Sequence, residues 1–329
     1  MPNPLDDRAV YTFDDLKSWE VKRPGLPPSL AVLGHPVAHS VSPQMHNAAL
    51  AELAKKYPQL KDWRYFKFDV FPEQLPLTLE LLQQKGFRGV NLTVPHKTDS
   101  AVLAFADLHT KKLQAVNTLV REGQNWLGSN SDGYGFIQSL HRDLGVNLRD
   151  GPEIVIMGVG GAARSVVIAC LEEGCGKVWV GNRTPEKLQN FVEQFNRMKP
   201  ASHLHTLEAF KLAAPPTEKW AKNALVINAT SLGLQSGDPS PLNVSLLGPQ
   251  VKVFDLIYHR QGATALVAAA RARKLSAADG LGMLIWQGAK SLTLWIKALE
   301  GIEIKPEDIT QTMMNAACGE LAISPPRNV

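Results

Sequence analysis

Short apolar runs closed by glycine or proline set the rhythm of this chain. Leu30 to Leu33 is the first, ended by Gly34 and Pro36, and it reads as a buried strand entering a loop. Ser42 then supplies an N-cap and Pro43 a first helical residue. Met45, Ala49, Leu50 and Leu53 follow at helical spacing, so "SPQMHNAALAELAKKY" reads as a helix. "YFKFDV" alternates as a strand, and "EQLPLTLELLQQKG" reads as a helix stopped by Gly86. In "GVNLTVPHK", Val90, Leu92 and Val94 alternate with Asn91 and Thr93. This predicts a half-buried strand that Pro95 ends, having no N–H to donate, with Lys97 just past its C-terminal end. Strand, helix, strand, helix, strand is the signature of an α/β layer on a parallel sheet.

A connecting helix over 133–145 precedes a second round of the same pattern. "EIVIMG" is a continuous apolar strand, and "GGAARSVVIACLEEG" a helix closed by Gly174. "KVWVGN" is a strand, and "TPEKLQNFVEQFNR" a helix with Thr184 as N-cap. "ALVINAT" and "VKVFDLIY" read as two more strands, "ATALVAAARARK" as a helix, and "GLGMLIWQGAKSLTLWIKAL" as a long amphipathic or buried helix. A second α/β unit over roughly 138–278 is the expectation.

With 329 residues and 36.0 kDa, the chain is long for a single core, which supports two domains. Hydrophobic residues at 44% and charged residues at 20% describe an ordinary globular protein. A net charge of +4 suits small anionic ligands, and no block of five Lys/Arg marks a nucleic-acid footprint. Cys170, Cys175 and Cys318 form no CxxC pair, which favours a reduced, cytoplasmic setting. No apolar run reaches the roughly 18 residues of a membrane span. The acidic, proline-containing stretch over 1–28 does not resemble a targeting peptide, and reads as an extension packed on, or trailing from, the main fold.

The most specific local chemistry is "EIVIMGVGGAARS". Gly158, Gly160 and Ala163 fit G-x-G-x-x-A between a strand and a helix, where glycines let a pyrophosphate approach helix N–H groups. The next strand ends in Asn182, Arg183 and Thr184, with no acid at its tip, although Glu186 lies close by. An acid would repel a 2′-phosphate, whereas a guanidinium stacks on adenine and binds phosphate, so the tip points to NADP. Ser40, Ser42, Asn91, Thr93, Asn117 and Asp132 add hydroxyls, amides and a carboxylate suited to a small polyol that carries a carboxylate. Lys97 and Asp132 could pair for proton transfer. His35, His39 and His46 have no carboxylate or cysteine to complete a metal site, and no metal is expected.

These stretches together resemble the shikimate dehydrogenase family. The matches are "GHPVAHSVSPQMHN", "GVNLTVPHK", "AVNT", "NSDGYG", "GVGGAAR", "NRT", "NATSLG", "DLIY" and "DGLGMLIWQGA", in the family's order over roughly residues 29–300. The resemblance implies two α/β domains flanking a cleft, the second a Rossmann-type NADP-binding domain. It implies an extension over 1–28, a substrate-binding domain over 29–137 plus 279–329, and an NADP domain over 138–278. The implied activity is NADPH-dependent reduction of 3-dehydroshikimate to shikimate. The alternatives are a quinate/shikimate dehydrogenase using NAD or NADP, or a non-catalytic NADP-binding sensor.

By motif, Lys97 and Asp132 would be the catalytic pair. Ser40, Ser42, Asn91, Thr93, Asn117, Asp132, Tyr258 and Gln287 would hold the substrate. Gly158, Val159, Gly160, Gly161, Ala162, Asn182, Arg183, Thr184 and Thr230 would hold NADP, with Leu256 and Gly280 near the nicotinamide. The implied partner is this small molecule alone, with neither nucleic acid nor membrane, in a monomer or homodimer. The chain departs from the family pattern at Val159 (alanine is usual), Ser131 (threonine), Leu234 (methionine) and Gln114 (glycine). The loop after Tyr258, "HRQGAT", is about one residue longer than the family's and lacks the common proline.

Overall fold

The structure is a computed structural model that describes residues 8–19, 29–99, 102, 105–198, 207–235, 237–260 and 262–323. The chain divides into two compact units. One holds the residues up to Ser131 and those from Ile285 onward; the other is Asp132–Leu284. The junctions fall six residues earlier and six later than the 138–278 span read from the sequence.

The first unit is built on β1 (Tyr11–Thr12), β2 (Ser29–Gly34), β3 (Arg64–Asp69), β4 (Phe87–Leu92), β5 (Thr118–Glu122) and β6 (Asn125–Ser129). Their order is β1-β3-β2-β4-β5-β6; the first four are parallel, and β5 and β6 turn back as an antiparallel hairpin. The hairpin is absent from the sequence reading, because two five-residue strands around Gly123 carry little periodicity. Its helices are α1 (Phe13–Lys17), α2 (Ser42–Leu53), α3 (Leu75–Gln84) and α4 (Leu108–Leu113), joined by the last two of the chain, α9 (Leu281–Glu300) and α10 (Glu307–Leu321). The described part of the N-terminal stretch is packed on: Tyr11 and Thr12 pair with Phe68 and Asp69, and Tyr11 and Trp19 stack edgewise on Phe66. The rest of residues 1–28 lies outside the described residues.

Three local expectations change. β4 is not half-buried: Val90 and Leu92 face one apolar layer, while Asn91 is buried on the other face, under α9. Gly89 on that face lies so close to Trp295 that an added Cβ would come within 2.6 Å of its ring. Val94, read as part of the apolar face, is 68% exposed, because the strand stops at Leu92. Ser42 is the first residue of α2 rather than its cap, and Val41 in the cap position makes no side-chain capping bond. Gln114, where the family has glycine, closes α4 with φ +50°, the left-handed conformation that favours glycine.

His46 on α2 is fully buried, stacked on Tyr65 at 4.0 Å, and its Nδ1–H donates to Ser42 O at 2.8 Å. Burial lowers its pKa from 6.5 to about 4, against the opposing pull of its backbone hydrogen bonds. The unfolded chain therefore binds a proton between those two values that the folded chain refuses. Stability should fall as pH drops through that window, by about 3 kcal/mol, and level off below it. Buried Asp255 and half-buried Asp143 and Asp279, whose pKa values are raised by desolvation, act in the opposite sense. Comparing wild type with His46→Phe isolates the histidine: urea midpoints at pH 7 and 4.5 should converge in the variant. An equal acid loss in both proteins would show that His46 does not carry it.

The second unit has a six-stranded, all-parallel sheet: β7 (Ile154–Met157), β8 (Val178–Asn182), β9 (Leu207–Lys211), β10 (Leu225–Asn228), β11 (Lys252–Asp255) and β12 (Ala277–Ala278). The order β12-β11-β10-β7-β8-β9 is the doubly wound arrangement, reversing direction at β7. Ile154 and Ile156 of β7 face a core made with α5 (Asp132–Leu144), α6 (Gly161–Glu172) and α7 (Pro185–Met198). Val155 and Met157 face the opposite core, with α8 (Ala265–Ala272). Layers on both faces explain why these strands read as continuous apolar runs.

Candidate active site

In the second unit, the turn from β7 to α6 is shaped by two glycines used differently. Gly158 has φ +110°, and a Cβ there would lie 2.6 Å from the carbonyl oxygen of Ala229, so the backbone itself demands glycine. Gly160 precedes α6 with ordinary extended dihedrals and makes no side-chain cap; an added Cβ would meet nothing within 4 Å. Packing does not require a glycine at 160. The space it leaves lies over the first N–H groups of α6, next to Gly161 and Ala162, and fits a dinucleotide pyrophosphate. Val159 turns away, packing against the apolar core.

At the tip of β8, Asn182 Nδ2 donates to Thr184 O at 3.0 Å and folds the turn, which leaves Arg183 exposed. A solvent-facing guanidinium there suits a 2′-phosphate. Arg183→Ala should weaken NADP at least about tenfold more than NAD, which lacks that phosphate, and high salt should shrink the difference. Titrating both cofactors decides it; equal losses would mean that Arg183 does not read the phosphate.

Behind the turn, Asn228 anchors two loops. Its Oδ1 accepts from Thr230 Oγ1 at 2.7 Å, and its Nδ2 donates to Asp255 Oδ1 at 2.9 Å. Asp255 is buried, which pushes its pKa up, and it accepts in turn from Thr264 Oγ1 at 2.7 Å and Ile257 N at 3.1 Å. The loop after β11 thereby holds Leu256 against Gly280, where a Cβ would collide with the Leu256 carbonyl. Tyr258 follows in the same unit, half-buried.

In the first unit, the predicted residues gather where β2 and β4 end. Ser40 and Ser42 are buried; Ser40 Oγ accepts from Ser42 N at 3.3 Å, and buried Lys67 donates to Ser40 O at 3.3 Å. Thr93 packs against Gly34, which has no room for a Cβ beside it. Lys97 lies half-buried in the 3₁₀ turn His96–Thr98, and its carbonyl accepts from Val116 N at 2.8 Å. That bond ties the lysine's turn to the strand entrance carrying Asn117. His96 underpins the turn, with Nε2 bonded to Val70 O at 2.9 Å.

The two asparagines differ. Asn91 Oδ1 accepts from Tyr65 OH at 2.8 Å, and its Nδ2 donates to Asn117 O and to Ser291 Oγ, both at 3.0 Å. Both ends of the amide are engaged by protein, which anchors Asn91 between β3, β5 and α9. Asn117 Oδ1 accepts from Ser131 N at 2.8 Å, while its Nδ2 reaches Gln287 Oε1 at 3.3 Å. Asn91, Asn117 and Gln287 thus come together within this unit. Asp132, buried, opens α5 in the second unit. Tyr65, Thr118, Ser131 and Ser291 are polar partners missed from sequence. The available signal was a serine four residues after Gln287, one helical turn on, in a mostly apolar helix. Among the described residues, no group of three His, Cys, Asp or Glu side chains is gathered to hold a metal.

A doubly wound unit with an open dinucleotide turn, and an α/β unit lined with amides, hydroxyls and the lysines Lys67 and Lys97, define a pyridine-nucleotide-dependent oxidoreductase. Residues 32–119 match the family model described as the shikimate dehydrogenase substrate binding domain. The chain belongs to the shikimate dehydrogenase family. It is 37% identical to the NADP(+) shikimate dehydrogenase of Rubrobacter xylanophilus, over 81% of this chain and 89% of that one. It is also similar to the shikimate 5-dehydrogenase structure from Thermus thermophilus in complex with NADP(H) and shikimate (37% identity, TM-score 0.70, 88% of this chain and 99% of that one). The Aquifex aeolicus shikimate dehydrogenase structure gives 30% identity and a TM-score of 0.73, over 88% of this chain and 98% of that one. No described helix is long and apolar enough to cross a membrane.

Proposed function

We propose that this protein catalyses the reversible reaction of 3-dehydroshikimate, NADPH and a proton to shikimate and NADP⁺, in the shikimate pathway to chorismate and aromatic amino acids. The observation that carries the reading is the likeness to NADP-dependent shikimate dehydrogenases over nearly their whole length. The open glycine turn before α6 supports the cofactor. The buried thiol forms of Cys170, Cys175 and Cys318 suit a cytoplasmic setting.

The bound cofactor supplies the hydride; this chain supplies binding, orientation and the proton. Gly160, Gly161 and Ala162 hold the pyrophosphate, Asn182, Arg183 and Thr184 the adenosine phosphate end, and Thr230, Leu256 and Gly280 the remainder. Ser40, Ser42, Thr93, Asn117, Tyr258 and Gln287 hold the ring hydroxyls and carboxylate. Lys97 gives its proton to the carbonyl oxygen as reduction proceeds and recovers it from the hydroxyl in reverse. Asp132 bonds a ring hydroxyl and is the second catalytic residue beside the general acid Lys97. Absorbance at 340 nm tests the assignment. Shikimate with NADP should give rapid cofactor reduction, with NAD much slower, and quinate slower still. No reduction with shikimate would remove the assignment, and comparable rates with quinate would make it a quinate/shikimate dehydrogenase.

A further inference from the structure

We propose that Ser291 is a positioning residue for the substrate, its hydroxyl being the hub that fixes Gln287. This rests on reading Gln287 and Asn117 as substrate ligands. Ser291 stands one helical turn after Gln287 on α9 and is 0% exposed. Its Oγ has four polar neighbours: Gln287 O at 3.0 Å, Asn91 Nδ2 at 3.0 Å, Thr118 Oγ1 at 2.9 Å and Ser131 Oγ at 3.1 Å. Three of them lie on β4, β5 and the segment after β6, so one hydroxyl joins the helix to three separate parts of the sheet layer.

Proton counting gives this hub a direction. A hydroxyl has one proton and two lone pairs, an amide nitrogen only donates, and a carbonyl oxygen only accepts. Asn117 Oδ1 is held as an acceptor by Ser131 N at 2.8 Å, and Thr118 Oγ1 points its proton there at 2.9 Å. Asn117 Nδ2 must then donate, to Ser131 Oγ at 2.9 Å and Gln287 Oε1 at 3.3 Å. Ser131, having accepted, passes its own proton toward Ser291 Oγ or Gln287 Oε1. Ser291 accepts from Asn91 and donates to the backbone carbonyl of Gln287. The Gln287 side-chain oxygen is fixed toward Asn117 Nδ2 and the hydroxyl of Ser131, and Ser291 Oγ holds that serine at 3.1 Å. Tyr65, whose hydroxyl bonds Asn91, continues the network into β3. The side-chain orientation at position 287 is set by Ser291 and its three neighbours rather than by Gln287 alone.

Removing the hydroxyl lets α9 and the amide at 287 drift, which weakens binding and leaves the proton donor untouched. Ser291→Ala should raise KM for shikimate about tenfold, with kcat and the Kd for NADP changed less than about threefold. Gln287→Ala should raise KM by at least as much. Adding Ser291→Ala to it should raise KM by less than about twofold further, because the serine acts through the glutamine. Ser291→Thr and Ser291→Val have the same bulk and differ in the hydroxyl; only the valine variant should lose shikimate affinity. An unchanged KM in Ser291→Ala beside a raised KM in Gln287→Ala overturns the hub while sparing the ligand reading. Fully multiplicative effects in the double variant, or equal losses in the threonine and valine variants, also overturn it, reducing Ser291 to a packing residue. An unchanged KM in Gln287→Ala overturns the ligand reading and the hub with it.

Discussion

Lys97→Ala is expected to lower kcat by about 10² to 10⁴ while NADP binds within a few-fold of wild type. The side chain stands in a short turn past β4 that is pinned twice: His96 bonds the Val70 carbonyl, and the Lys97 carbonyl takes the Val116 N–H. A loop charge with only a solubilising role would not need that anchoring. The Gly158–Ala162 segment belongs to the other unit. The effect should therefore fall on the chemical step. Single-turnover reduction of 3-dehydroshikimate separates that step from product release. A variant that keeps more than about a tenth of the wild-type chemical rate takes Lys97 out of proton transfer.

Gly160→Asp is expected to weaken NADP at least about 100-fold while leaving the fold as stable as wild type, or more so. Position 160 has extended dihedrals open to any residue, and open space beyond its Cα. Aspartate is a favourable N-cap, and its carboxylate would bond the first N–H groups of α6. Those N–H groups are the ones a pyrophosphate needs, and the added negative charge repels it. Losing two charge-assisted bonds of roughly 1.5–3 kcal/mol each already exceeds a hundredfold. Gly158→Ala is the contrasting case, because a Cβ there strikes the Ala229 backbone, and it should destabilise the whole unit. Thermal denaturation beside an NADP titration separates the two. NADP binding retained within about threefold in Gly160→Asp would place the pyrophosphate elsewhere.

The nucleotide unit was legible because its signals are local. Buried parallel strands are continuous apolar runs, and Gly158 and Gly160 sit where a strand must turn sharply into a helix. The tip of β8 could be read because a missing acid is visible in one sequence. The first unit was harder. Its hairpin is too short for its alternation to register, and β9 and β12 in the other unit were missed for the same reason. Ser42 was misplaced by one residue because a serine before a proline has the composition of a cap whichever residue starts the helix. Asn91 shows a deeper limit. Its motif gives no sign of the protein partners that the fold brings to it, Tyr65, Asn117 and Ser291. Those partners lie 26 to 200 residues away in sequence, and hydroxyls inside apolar segments carry no periodic signature.

The first unit is completed only by residues from Ile285 onward, after the whole of the second has been passed. A chain leaving the ribosome would therefore finish the nucleotide unit before the substrate unit. Until α9 emerges, Gly89 has no Trp295 to cover it, the Leu119 carbonyl lacks the Trp295 Nε1–H that it accepts at 2.9 Å, and Asn91 lacks Ser291. The sheet would wait with an apolar face and several polar groups uncovered, the condition in which nascent chains associate wrongly. For this protein, the interval between synthesis of residue 131 and of residue 300 is the period of greatest exposure to aggregation. A ribosome stalled near the end of it, once Leu284 has emerged, would hold a complete nucleotide unit and an unfinished sheet.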